Sequence, residues 1–191
     1  MNLILASASP RRKELLSLFR IPFTVRCADI DETMDPARTP FEEVARLSRE
    51  KAMAVPREES DIVIAADTIV VCQGQVLGKP RDEAQALQML SLLSGRDHQV
   101  MTGFTVLRGE TCCTHTEVTD LHFRELSRKE ILGYIATGEP MDKAGAYGIQ
   151  GGAALFCTGM TGDYYNVMGL PVCKLGQVLR QIAPELMEDT L

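Results

Sequence analysis

The stretch that most constrains this chain is Ile62-Val-Ile-Ala-Ala-Asp-Thr-Ile-Val-Val71, apolar throughout except at Asp67 and Thr68. It shows neither the strict alternation of a half-exposed strand nor the spacing of an amphipathic helix. A continuous, β-branched apolar run of this length is a central strand buried on both faces. Such a strand needs a layer packed against each face, so the chain must supply helices as well as further strands.

Those elements follow from the pattern. Leu3–Ala6 and Phe23–Cys27 read as short strands, with a helix between them opened by Ser9 as N-cap and Pro10 at the first helical position. Thr39-Pro40-Phe41-Glu42 is a capping box, and its helix is expected to place Phe41, Val44, Ala45 and Ser48 on one face, with Leu47 alongside. A hairpin turn at Gln73-Gly74 follows the central strand. Asp82 caps a helix carrying Leu87, Leu90 and Leu93 on its core side. Val100–Leu107 and Thr114–Phe123 form the arms of a hairpin around Arg108-Gly109. Ser127–Glu130 is a second capping box, opening a helix that ends near Gly138. Ala153–Cys157 reads as a strand, and a helix from about Pro171 to Ile182 closes the chain. Strands and helices mix without strict alternation. The fold class is therefore α/β, a mixed twisted sheet flanked by helices rather than a doubly wound Rossmann sheet. One domain is expected over residues 1–191, with the hairpin at 97–125 belonging either to the main sheet or to a second lobe.

Composition narrows the partners. A net charge of −6 argues against a nucleic-acid polymer, which requires a basic face, yet leaves room for a small polyphosphate needing a few local cations. The six cysteines include no C-x-x-C pair and read as reduced thiols, and the three histidines lack zinc-site spacing. The N-terminus has no basic start and no long apolar segment, so neither a signal peptide nor membrane attachment is expected, and the chain reads as soluble and cytoplasmic. Disorder is expected nowhere except at the acidic last few residues.

Within this frame Asp67 stands out. An unpaired charge inside a dry strand costs several kcal/mol, so the carboxylate must be paired, metal-bound or at a strand end facing a cleft, unless it satisfies backbone donors at a bend. Lys51 follows Leu47 by four residues and Val44 by seven, near the apolar side of its helix, and either snorkels to the rim or enters a cleft. Lys79 sits in Gly78-Lys79-Pro80, where glycine permits close approach of a ligand. Ser7-Ala-Ser-Pro-Arg-Arg12 closes a strand and opens a helix, whose N-terminal N–H groups attract anions. Arg11 and Arg12 in that first turn oppose the helix dipole, a conflict that a bound phosphate would reverse. Asp29, Asp31, Glu32 and Asp35 lack calcium-loop spacing, although one of them can join Asp67 in holding a hard cation. Gly145–Gly152 and Thr161–Gly169 are dense in glycine, and Gln150 can both donate to and accept from a base. No P-loop motif occurs.

The ordered set Ser7-Ala-Ser-Pro-Arg-Arg12, Glu50-Lys51-Ala52, Ala66-Asp67-Thr68, Gly78-Lys79-Pro80, Gly148-Ile-Gln-Gly151 and Asn166-Val-Met-Gly-Leu-Pro171 resembles the Maf family over nearly the whole chain. The resemblance implies an ITPase-like α/β architecture and nucleotide pyrophosphatase activity. It maps the proton acceptor onto Asp67, and the phosphate and metal neighbourhood onto Ser7, Arg11, Glu32, Lys51 and Lys79. A divalent cation shared by Glu32 and Asp67 is expected there, and hard oxygen ligands make it Mg²⁺ or Mn²⁺. Arg12, Thr68 and Gln150 resemble the specificity trio of the subfamily acting on dTTP and UTP, with removal of non-canonical pyrimidine nucleotides as the corresponding role. A sister group acting on 7-methyl-GTP carries an aromatic, a glutamine and a glutamate there. The alternatives are that specificity, another modified nucleotide, or a nucleotide-sensing regulator of division and septum formation. A homodimer is expected on base rates. Because Thr68 directly follows Asp67, a regular strand turns the two side chains to opposite faces. Either a bulge or a strand end brings both to one place, or Thr68 acts indirectly.

Overall fold

The computed structural model describes residues 1–27 and 29–188. The terminal residues 189–191, on which part of the expected disorder falls, lie outside the described residues. The strands are β1 (Leu3–Leu5), β2 (Phe23–Val25), β3 (Ile62–Cys72), β4 (Gln75–Leu77), β5 (Asp97–Arg108), β6 (Thr111–Phe123) and β7 (Cys157–Thr161). They form a seven-stranded sheet in the order β2-β1-β3-β5-β6-β7, with β4 paired to β3. The sheet is mixed: β1 runs parallel to β2 and β3, whereas β4 lies antiparallel to β3 and β7 antiparallel to β6. The hairpin expected at 97–125 thus belongs to the sheet. The helices are α1 (Pro10–Ser17), α2 (Pro40–Ala54), α3 (Glu83–Leu93), α4 (Arg128–Ile135), α5 (Tyr164–Met168) and α6 (Val172–Ile182).

The chain forms two compact units, each assembled from separate segments. Among the described residues, the first takes in those up to 67, residues 102–117 and those from 169 on, and the second residues 68–101 and 118–168. In the first unit, β1 and the start of β3 supply Ile4, Val63 and Ala65, which pack with Ala52 and Val55 from α2 and its C-terminal end. α2 begins where the sequence places it. Thr39 accepts from the Glu42 amide, and the Glu42 carboxylate accepts in return from the Thr39 amide at 2.9 Å. Its buried face, however, runs through Glu43, Val44, Leu47, Ser48, Lys51 and Ala52, and Phe41 is half exposed. The stripe is therefore rotated from the one expected, because residues 43, 47 and 51 and residues 44, 48 and 52 each recur at the four-residue spacing of one helix face.

In the second unit, α3 buries Ala86, Met89, Leu90 and Leu93, with Asp82 capping the Gln85 amide at 2.7 Å. α4 opens on the second capping box, Ser127 with Glu130. One expectation fails here: Ala153–Cys157 is not a strand. Residues Gly152–Leu155 form a 3₁₀ turn, and the strand starts only at Cys157. Alanine, leucine and phenylalanine alone do not separate a short apolar turn from a strand, and the pairing of β7 with β6 decides it. All six cysteines are free thiols.

Candidate active site

Asp67 occupies the sixth position of the eleven-residue β3 and is buried. Alternation along a strand puts it on the same face as Val63 and Ala65, the face that packs on α2. There Lys51, one turn beyond Leu47 on α2, donates from Nζ to Asp67 Oδ1 at 2.6 Å. The same ammonium lies 2.9 Å from Glu32 Oε1. Of the readings open for Lys51, the structure selects the inward one, and Asp67 is a paired carboxylate. The Lys51 and Asp67 side chains are 11% and 12% exposed, whereas Glu32 is 61% exposed, so the triad runs from the interior to the surface.

Glu32 reaches this position on a loop that α2 itself holds. Arg46 donates to the carbonyl of neighbouring Thr33 at 2.9 Å, while its other donors bind Glu43 and Glu50. The buried Glu43 carboxylate also accepts from the Asp35 amide at 3.1 Å. The sequence reading missed this anchor. Its signal was present in the opposite charges three and four residues apart at Glu43, Arg46 and Glu50, although only the fold shows that the cluster grips the acidic loop.

The strand-to-helix turn at residues 7–12 is built around two hydroxyls. Ser9 caps α1 by accepting from the Arg12 amide at 3.4 Å. Ser7 Oγ accepts from the Ser9 amide at 3.2 Å and from Arg12 Nη1 at 3.3 Å. Arg12 Nε donates to the Gly169 carbonyl at 2.9 Å, which joins the first and the last of the ordered motifs. Burial is the largest influence on the Arg12 guanidinium and lowers its pKa, Asp67 and Glu32 pull it up, and Arg11 adds to the lowering. Three cations and two carboxylates therefore act on one another in the first unit: Arg11, Arg12 and Lys51 against Asp67 and Glu32. Cations grouped here suit an anionic ligand even though the whole chain is acidic.

Thr68, Lys79 and Gln150 belong to the second unit. β3 continues through Thr68 to Cys72, so no strand end brings Asp67 and Thr68 together. Lys79 is exposed on its turn, where the Gly78 carbonyl accepts from the Gly145 amide at 3.1 Å. Gly145 has φ +69°, and a Cβ there would press on the Val70 side chain, which explains glycine at this position. Gln150 is exposed in a turn closed by the Gly151 amide on the Gly148 carbonyl at 3.0 Å. Asn166, from the last motif, donates to the Val100 carbonyl at 3.0 Å and to Thr119 Oγ1 at 2.9 Å.

Two carboxylates joined through one ammonium match what a hard divalent cation takes from protein, since Mg²⁺ usually uses one or two carboxylates and completes its shell with water and substrate phosphates. Among the described residues no group of three or more His, Cys, Asp or Glu side chains forms an all-protein metal cage. Also among them, no helix is long and apolar enough to cross a membrane.

Known proteins resemble this chain in both fold and sequence. A solved HAM1 protein from Coxiella burnetii has a similar fold, with a TM-score of 0.51 at 16% identity over 95% of this chain and 99% of that one. The fold is the ITPase-like mixed α/β architecture expected above. The dTTP/UTP pyrophosphatase of Symbiobacterium thermophilum is 53% identical, covering 94% of this chain and 93% of its own. The enzyme of the same name from Bacillus cytotoxicus is 49% identical, covering 93% and 94%. The sequence pattern of the Maf-like proteins matches residues 2–182, a span that takes in every motif built into the two units. This chain belongs to the Maf family.

Proposed function

We propose that the chain is a nucleoside triphosphate pyrophosphatase that hydrolyses dTTP and UTP to the monophosphate and pyrophosphate, with removal of non-canonical pyrimidine nucleotides as a further role. The observation that carries the reading is the inward Lys51–Asp67 pair, 2.6 Å long, on a strand otherwise apolar. A pure nucleotide sensor has no use for a buried carboxylate set in this way. Two relatives that carry the dTTP/UTP pyrophosphatase name at 53% and 49% identity support the substrate.

In this reading Asp67 accepts a proton from the attacking water. Lys51 occupies Oδ1 and leaves Oδ2 to take it. The water attacks the α-phosphorus, the bond to the bridging oxygen breaks, and pyrophosphate leaves. Arg11, Lys51 and Lys79 neutralise the triphosphate and the charge that grows on the leaving group. Ser7 orients Arg12 by accepting from its guanidinium, and the positive end of the α1 dipole favours a phosphate there. Glu32 and Asp67 would hold a Mg²⁺ or Mn²⁺ ion. When bound, that ion supplies charge neutralisation and a more acidic water. Arg12, Thr68 and Gln150 select the base, Gln150 by pairing with both donor and acceptor on the pyrimidine edge.

The test is pyrophosphate release from dTTP, UTP, CTP, GTP and 7-methyl-GTP, with and without Mg²⁺ or Mn²⁺, for wild type and Asp67→Asn. Metal-dependent turnover of dTTP and UTP above the rest is expected, with a loss of ~10²–10⁴-fold in Asp67→Asn. Turnover of 7-methyl-GTP above dTTP refutes the specificity, and near-normal turnover by Asp67→Asn removes that residue from the role of base.

A further inference from the structure

Both ends of the turn that presents Gln150 are held by the same two side chains, neither of which belongs to a motif of the sequence. Tyr134, on the last turn of α4, accepts from the Gly148 amide at 3.0 Å and donates to Glu139 Oε1 at 2.8 Å. The other carboxylate oxygen, Glu139 Oε2, accepts from the Gly152 amide at 3.1 Å. The phenol and carboxylate thus close a ring of hydrogen bonds around residues 148–152, with Gln150 at its apex. We propose that Glu139 and Tyr134 are positioning residues for base selection, fixing the turn so that Gln150 meets the nucleotide base in one orientation.

Further observations support this role. A Cβ at Gly151 would overlap the Glu139 carboxylate, and one at Gly148 would stand 2.8 Å from Lys143 Cε. The two glycines of Gly148-Ile-Gln-Gly151 are therefore set by contact with the clamp, in addition to any ligand. Lys143 holds the clamp from behind, donating to the Glu139 carbonyl at 2.7 Å, and Thr137 Oγ1 accepts from the Glu139 amide at 3.2 Å. Burial above all, and then Glu139, push the Tyr134 hydroxyl above the ordinary phenol range, so it remains a donor at any working pH. Tyr134 is itself fixed by burial and by an edge contact with Phe156, ring centroids 5.2 Å apart.

The proposal rests on Gln150 selecting the base, so the experiment separates the two. Amide hydrogen exchange across residues 148–152 and kcat and KM for dTTP and CTP are measured for wild type, Glu139→Ala, Glu139→Gln, Tyr134→Phe and Gln150→Ala. Glu139→Ala and Tyr134→Phe are expected to expose the turn amides to exchange and to lower the preference for dTTP over CTP roughly tenfold, the effect of one lost hydrogen bond. The loss is expected in KM rather than kcat, and Glu139→Gln should restore part of it. Glu139→Ala placed in the Gln150→Ala background should add no further loss of preference. Unchanged exchange in both clamp variants overturns the proposal. So does an unchanged preference in them where Gln150→Ala abolishes it. If Gln150→Ala leaves the preference intact, the base-selecting role of Gln150 falls, and the exchange result alone decides whether the clamp positions the turn.

Discussion

Lys51→Met is the most informative perturbation of the triad, because it keeps a buried apolar stem of similar length and removes the ammonium. Asp67 is then a carboxylate 12% exposed with its 2.6 Å partner gone. Breaking a fully buried pair from one side costs about 3–5 kcal/mol, and the residual access of water to this pair lowers that to about 2–4 kcal/mol. Asp67→Asn behaves differently. It leaves Lys51 with Glu32 at 2.9 Å, a partner 61% exposed, so the stranded charge is still neutralised and the cost is about 1–2 kcal/mol. The double variant strands no charge in the interior and should be more stable than Lys51→Met alone by about 1–3 kcal/mol. Urea unfolding followed by circular dichroism reads all four proteins, and the larger loss corresponds to a drop of roughly 5–15 °C in Tm for a chain of this size. A Lys51→Met protein within 1 kcal/mol of wild type, or a double variant less stable than Lys51→Met, would show that Asp67 is satisfied without the lysine and refute the argument.

Two other positions give independent checks. His98 is 3% exposed and bonded to the Tyr147 hydroxyl at 2.9 Å, and burial lowers its pKa from 6.5 to about 4. Between those values the unfolded chain binds a proton that native His98 refuses. Stability is therefore full above pH 6.5, falls as the pH drops towards 4 and levels off below, a loss of roughly 3 kcal/mol. His98→Leu should flatten that part of the pH–stability curve relative to wild type, and an identical slope refutes it. Gly103 on β5 lies against the Val44 carbonyl of α2, where a Cβ would overlap backbone that cannot yield. Gly103→Ala should destabilise by about 3 kcal/mol, the upper range of overpacking, and a thermal midpoint unchanged from wild type would show that the helix can move away.

How much of this was legible beforehand depends on how local each cause is. The central strand was legible because burial on both faces demands an unbroken apolar run, and the two capping boxes because a side chain three residues away satisfies the helix start. Asp67 announced itself as an exception within that run. Its partner was less certain: Lys51 sat at the right helical phase, yet phase alone permits either an inward or an outward ammonium. The rotated stripe of α2 and the misplaced seventh strand show the limit. Phe41 reads as part of the buried face of α2 and Ala153–Cys157 as a strand until neighbouring elements settle them.

By itself, then, the chain's order of residues determined its class, its helix starts, its buried strand and the ordered motifs that tie it to the Maf family, all consequences of spacing within a few residues. Only the tertiary structure decided that Lys51 bridges Asp67 and Glu32, that Arg46 holds the acidic loop and that Tyr134 and Glu139 brace the turn at Gln150. Each of these is a hydrogen bond or ion pair to a group on another turn, loop or strand. Such contacts depend on which surfaces meet in space, and hydrophobic periodicity carries no record of the polar partner that a neighbouring element will supply.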